Sequence, residues 1–148
     1  MPSKARISVF SPAPPGAIAT VDAGLDEYNV AGAPITDVRS LHVIAEDKDG
    51  IVVGGAIGRT WGQCCELQQL WVCAELRSNG IGSHLMDAFE QEAENRGCAL
   101  VYLDTFSFQA PVFYQARGYR EVLRTVGFTG GVAKITMHKS IHANRTEA

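Results

Sequence analysis

A glycine-rich segment, Arg77-Ser78-Asn79-Gly80-Ile81-Gly82, separates a run typical of a strand from a run typical of a helix. The first backbone N–H groups of a helix have no internal partners, and the helix dipole places partial positive charge beside them. Glycines at positions 80 and 82 let an anion approach the backbone closely, and Arg77 adds a guanidinium that can bind phosphate oxygens. The segment therefore predicts a phosphate-binding site.

The spacing excludes two common phosphate loops. The Walker sequence G-x-x-x-x-G-K-[ST] is absent, and the dinucleotide fingerprint G-x-G-x-x-G has Leu85 at the position of its third glycine. Neither a P-loop nor a Rossmann dinucleotide site is therefore expected.

Two motifs together resemble those of the GNAT superfamily of N-acetyltransferases. Val72-x-x-x-x-Arg77-x-x-Gly80-x-Gly82 resembles the acetyl-CoA pyrophosphate loop, Q/R-x-x-G-x-G/A. Ala110-x-x-Phe113-Tyr114-x-x-x-Gly118-Tyr119 resembles the segment A-x-x-[LF]-Y-x-x-x-G-[FY]. The close match covers about residues 67–119, and the motifs stand in the family's order and spacing. The resemblance implies one domain, residues 1–148, that moves an acetyl group from acetyl-CoA to an amine.

The resemblance also implies a fold and a set of cofactor contacts. The fold is α/β, with a central, mostly antiparallel sheet that contains a splayed parallel strand pair and is flanked by helices. The pantetheine arm enters between the splayed strands and pairs with their backbone, and Ser107 or Gln109 takes the place of an asparagine that often contacts it. The residues expected to bind acetyl-CoA are Leu70, Trp71, Val72, Arg77, Ser78, Asn79, Gly80, Ile81, Gly82, Ser83, Ser107, Gln109 and Tyr114.

Two residues are candidates for the chemistry. Attack of an amine on a thioester requires that a proton leave the amine and that the departing thiolate be stabilised. In the family, the tyrosine of the second motif points its hydroxyl at the CoA sulfur, which gives this role to Tyr114. Glu66 lies eleven residues before Arg77, where one branch of the family has its glutamate base. A strand glutamate that faces solvent or pairs with arginine is an equal alternative for Glu66, and Glu46 or water could act as the base instead.

Composition narrows the class of protein. The 148 residues are 46% hydrophobic, which suits one domain with a real core. No run is long enough to span a membrane, and prolines interrupt the N-terminal segment, so neither a membrane protein nor a signal peptide is expected. The four cysteines have no metal-ligand spacing, which favours reduced thiols in the cytoplasm and no metal. A net charge of −3 argues against nucleic acid as a partner.

The acceptor is left open by the sequence. The first 70 residues carry five Lys/Arg and eight Asp/Glu, and in the family this half builds much of the acceptor site. An acidic site would suit a cationic amine, although a solvated acidic surface explains the same charges equally well. Small-molecule and peptide amines are both candidates, and a homodimer is common among similar proteins. The alternatives are a noncatalytic acyl-CoA sensor and a transferase acting on a macromolecular amine, on a protein or an aminoacyl-tRNA.

Hydrophobic periodicity and turn residues predict the elements between these motifs. We expect Trp61 in a loop at residues 59–63, Trp71 and Phe108 in the core, Ile81 pointing into the core and Glu90 on the surface. The predicted helices cover residues 16–29, 83–96 and 109–117, and the predicted strands cover residues 38–46, 51–57, 65–72, 98–105, 119–126 and 132–138.

Overall fold

The computed structural model describes residues 4–33 and 36–141, which divide into two units after Thr36. In the first unit, helix α1 (Ala17–Gly32) begins after Gly16, whose φ of 82° suits glycine. The Thr20 hydroxyl donates to the Gly16 carbonyl at 3.0 Å. The predicted helix is confirmed, but none of its residues is buried.

The second unit is a six-stranded mixed sheet with two α-helices, which confirms the predicted α/β fold class. The strands run in the order β1-β2-β3-β4-β6-β5, and β3 with β4 is the parallel pair among the described strands. The elements are β1 (Arg39–Glu46), β2 (Val52–Trp61), β3 (Cys64–Val72), α2 (Ile81–Asn95), β4 (Leu100–Phe106), α3 (Pro111–Ala116), β5 (Arg120–Thr125) and β6 (Lys134–Ser140), with short 3-10 turns at Ala74–Leu76 and Thr129–Gly131.

The core lies between one face of the sheet and α2. The apolar stripe of this helix, which includes Leu85, Phe89 and Ala93, is buried and meets side chains from β1, β2, β3, β4 and β6. Gly58 allows β2 to pack closely against β3 and α2. A Cβ at this position would lie 2.1 Å from the Glu66 carbonyl oxygen and 2.7 Å from the Phe89 ring. This packing fixes the start of α2 at the edge of the sheet where β3 ends.

The loop predicted at residues 59–63 is wrong. Strand β2 continues to Trp61, and cross-strand pairing of Arg59 with Glu66 and of Trp61 with Cys64 closes a tight hairpin. Gly62 turns the chain with a φ of 57°, and its N–H donates to Asp37 Oδ2 at 3.0 Å. Trp61 is therefore held at the end of a strand.

The surface position predicted for Glu90 is also wrong, since its side chain is only 12% exposed. Lys139 Nζ lies 2.6 Å from one carboxylate oxygen, and the Tyr119 hydroxyl donates to the other at 2.8 Å. Burial, then the nearby Glu90 charge, raise the pKa of Tyr119. This cluster ties α2 to β6 and to the last residue of the second motif.

Candidate active site

Strands β3 and β4 separate halfway along their length. Their pairing ends at Leu67 with Leu103, although both strands continue. Beyond that point β3 stays paired with β2 and β4 stays paired with β6, both antiparallel. Gln68 is an extra residue in β3 opposite the Ile57–Gly58 step, and it forms a β-bulge there. The expected gap between a splayed parallel pair is therefore present.

Backbone groups of β3 line this gap in alternation. The Cys73 N–H donates to the Val53 carbonyl at 2.8 Å, so the antiparallel pattern directs the backbone of Trp71 toward β2. Leu70 and Val72 then direct their backbone groups toward the gap. Arg77 Nε donates to the Val72 carbonyl at 3.0 Å, which anchors the guanidinium beside the gap and leaves its two NH₂ groups for a ligand.

The first turn of α2 points free N–H groups at the same place. Gly80 precedes the helix with a φ of 83°, and its carbonyl accepts the first intrahelical bond, from His84 N–H at 3.0 Å. The N–H groups of the three residues between them have no partner inside the helix. Ser78 has a φ of 65°, an uncommon conformation for a residue with a Cβ. Such backbone strain is found at ligand-binding turns.

A cavity of about 490 Å³ lies at this turn. Trp71, expected in the core, is 51% exposed and contributes to its wall, because the alternation of β3 turns the indole away from α2. Ile81 is half-buried and lies between the core and the cavity. The cavity is lined by Leu70, Trp71, Val72, Leu76, Arg77, Ser78, Gly80, Ile81, Gly82, Ser83, Ala110 and Phe113.

A second cavity of about 260 Å³ occupies the gap between β3 and β4 and shares Leu70 and Ala110 with the first. Tyr114 lines it and is 6% exposed, with its ring edge-on to those of Phe113 and Tyr119 at 5.2 and 5.6 Å. Burial raises the pKa of Tyr114 to about 12. No hydrogen bond or charge of a described residue contributes to this shift.

Gln109 and Ser107, the two candidates to replace the asparagine that often contacts pantetheine in the family, have different surroundings. Gln109 lines the second cavity, and its Oε1 accepts the Phe106 N–H at 2.8 Å, so its NH₂ group stays available as a donor. Ser107 Oγ accepts the Ala133 N–H at 3.0 Å and does not line either cavity. Asn79 is likewise outside both linings. Phe108, expected in the core, is 71% exposed.

A third cavity of about 410 Å³ contains Glu66. Arg59 Nε donates to Glu66 Oε1 at 2.9 Å, and the Glu66 side chain is 27% exposed. Glu66 pairs with Tyr102 in the register, one step before the strands separate. Glu46 lies at another cavity, beside the first turn of α2.

Asp104 is a carboxylate of the gap that the sequence reading missed. It lines the cavity of Tyr114, accepts a hydrogen bond from the Thr136 hydroxyl and lies 3.6 Å from Lys134 Nζ. The side chains of β4 alternate between the two faces of the sheet, and this alternation could have indicated Asp104. The strand is mostly apolar, however, and its sequence is typical of a strand that is buried on both faces.

The sequence profile of the acetyltransferase (GNAT) domain matches residues 39–121. This chain belongs to the GNAT acetyltransferase family. This chain is 33% identical over 112 residues to blasticidin-S acetyltransferase of Streptomyces morookaense, covering 73% of this chain and 82% of the relative. The resemblance inferred from the two motifs is confirmed.

Solved structures of the family have the same fold. An acetyltransferase from Bacillus cereus ATCC 14579 superposes with a TM-score of 0.75 at 26% identity, covering 90% of this chain and 97% of the other. An aminoglycoside 6'-N-acetyltransferase in complex with coenzyme A superposes with a TM-score of 0.62 at 23% identity, covering 81% of each chain. Within residues 4–33 and 36–141, no helix has the length and apolar character needed to cross a membrane.

Proposed function

We propose that this GNAT domain transfers the acetyl group of acetyl-CoA to a primary amine of a small molecule or peptide, by direct attack through a tetrahedral intermediate. The observation that carries this proposal is the continuity of the first two cavities. One lies at the N-terminus of α2 and the other at Tyr114, and Leu70 and Ala110 belong to both. A single elongated ligand with a phosphate end and a reactive end fits this shape.

The residues present suit acetyl-CoA at each point of this path. The free N–H groups of the first turn of α2 and the guanidinium of Arg77 would hold the pyrophosphate. The backbone of Leu70 and Val72 and the amide of Gln109 would bind the pantetheine arm. The path ends at the Tyr114 hydroxyl. Bound there, acetyl-CoA supplies an activated acyl group whose leaving group is a thiolate.

In this proposal Tyr114 acts as a hydrogen-bond donor to the sulfur. An ordinary thiol has a pKa near ~8.5. The pKa of Tyr114 is about 12. Complete proton transfer to a free thiolate would therefore be uphill by about 3.5 pKa units, or about 5 kcal/mol. A neutral hydroxyl that shortens its hydrogen bond as the C–S bond breaks avoids this cost.

Glu66 is proposed as the group that receives the amine proton, directly or through water. The amine nitrogen forms the new C–N bond, its proton passes to the carboxylate, and the C–S bond breaks to release CoA thiolate. The Glu66–Arg59 ion pair also fits the alternative in which Glu66 only stabilises the hairpin. Glu46 and water stay as the other candidates for the base.

Two measurements test the proposed function. Isothermal calorimetry with CoA should show binding that Arg77→Met weakens, because the variant removes the guanidinium and keeps the length of the stem. A thiol-release assay should show CoA production that depends on an added amine. Tight CoA binding without amine-dependent release would support the acyl-CoA sensor instead. A cytoplasmic location and a homodimer stay predictions.

A further inference from the structure

We propose that the cavity of Glu66 is the acceptor pocket and that it takes a primary amine carried next to an aromatic ring. This inference rests on the proposed function. The cavity measures about 410 Å³ and is lined by Arg59, Trp61, Gly62, Cys64, Glu66 and Tyr102. A pocket of this size is large enough for a small ring with its amine.

The pocket lies beside the place where the strands separate. Glu66 pairs with Tyr102, and the next register pair, Leu67 with Leu103, is the last before the gap. One residue of a strand advances about 3.3 Å. An amine at the Glu66 carboxylate is therefore within a short reach of a thioester that ends in the gap.

Its walls come from three neighbouring strands. Residues directly opposite in register share a face of the sheet, so Arg59, Glu66 and Tyr102 project from the same face. Trp61 follows Arg59 by two residues and joins them on that face, with 51% of its surface exposed. Two aromatic side chains on either side of a carboxylate favour a flat ring attached to the reacting amine.

The charges at the pocket suit a monoamine. Glu66 is the one carboxylate in the described lining, and it already pairs with Arg59. Asp37 lies beside the pocket, but its Oδ2 accepts the N–H of the lining residue Gly62 at 3.0 Å. A monoamine needs only one acceptor for its proton, and Glu66 supplies it.

The two tryptophans provide independent reporters of the two halves of the site. Trp71 lines the cavity assigned to CoA, and Trp61 lines the cavity assigned to the acceptor. Trp71→Phe leaves Trp61 as the emitting indole, and Trp61→Phe leaves Trp71. We expect benzylamine to change the Trp61 emission and CoA to change the Trp71 emission.

Kinetics with wild-type protein and Trp61→Ala complete the test. Benzylamine should be acetylated with a higher kcat/KM than hexylamine or spermidine, which have no aromatic ring. Trp61→Ala should raise KM for benzylamine about fivefold to tenfold, the value of an aromatic contact, with little change in KM for hexylamine or acetyl-CoA. Tyr102→Leu should repeat the effect from the other wall, and Trp71→Ala, the matched control, should change KM for acetyl-CoA only.

The outcomes separate the two proposals. If CoA changes Trp71 emission and amines are acetylated, but benzylamine has no advantage and leaves Trp61 unchanged, the pocket assignment is overturned and the transferase stands. If CoA leaves Trp71 unchanged and no amine releases thiol, both proposals are overturned. Selective loss of benzylamine acetylation in both wall variants supports the pocket.

Discussion

Replacing Tyr114 by phenylalanine removes one hydroxyl and leaves the ring packing in place. Because no hydrogen bond or charge of a described residue contributes to the pKa of that hydroxyl, the free energy of unfolding at neutral pH should change by less than about 1 kcal/mol. If it donates to the sulfur in the transition state, kcat should fall by roughly a hundredfold or more. The dissociation constant for CoA should be unchanged, because the pyrophosphate contacts lie at the other end of the path.

At alkaline pH the same substitution should make the protein more stable than wild type. The pKa of Tyr114 is raised from 10.0 to about 12 by burial. The unfolded chain therefore loses this proton first, and the raised pKa contributes stability that is complete below pH 10 and is lost as the pH rises toward 12. At pH 11 the loss is about 1.4 kcal/mol, and Tyr114→Phe should avoid it.

Urea unfolding at neutral pH and near pH 11, together with kcat measured from neutral pH to about 9.5, tests both expectations. Because the hydroxyl stays protonated over that range, the variant should lower kcat by the same factor at every pH. A kcat equal to wild type would remove Tyr114 from the chemistry. An alkaline stability difference of zero would show that the hydroxyl ionises as it does in water.

Three further substitutions test other parts of the site and the fold. Gly82→Ala should fold normally, since a Cβ would meet its nearest side chain at 3.7 Å, yet calorimetry should show weaker CoA binding because the methyl group obstructs the phosphate. Glu66→Gln should lower kcat/KM at a stability cost below about 1 kcal/mol, whereas Glu46→Gln should leave kcat/KM near the wild-type value. Lys139→Met removes the nearest cation of the buried Glu90 carboxylate, which keeps Arg117 at 3.5 Å and the Tyr119 hydroxyl, and should cost about 2 kcal/mol in urea unfolding. Lys134→Met, whose ion pair is half exposed, should cost less than about 1 kcal/mol.

Local conformational preferences explain why the residues expected to bind acetyl-CoA could be predicted from the sequence. Gly80 adopts a positive φ because no side chain blocks it, and the helix that follows presents its N–H groups whatever else surrounds it. Tyr114 and Tyr119 fall in the short motif around α3, so their spacing alone brings them together. Most predicted cofactor residues therefore line the first two cavities.

Long-range pairing explains the errors. Glu90 looks like a surface residue of an amphipathic helix, but Lys139 and Tyr119 arrive from other elements and bury it. Trp71 looks like a core tryptophan, yet the register of β3 against β2 turns it outward. Side-chain burial follows from which strands become neighbours, and a hydrophobicity pattern along one segment does not contain that information.

The sequence by itself determined the family, the phosphate-binding turn and the motif that carries Tyr114, because each is encoded within a few consecutive residues. Only the tertiary structure decided where β3 and β4 separate and which side chains meet at that point. Trp61, Glu66 and Tyr102 lie on three strands, and they share a pocket because the register of these neighbouring strands places them on one face of the sheet.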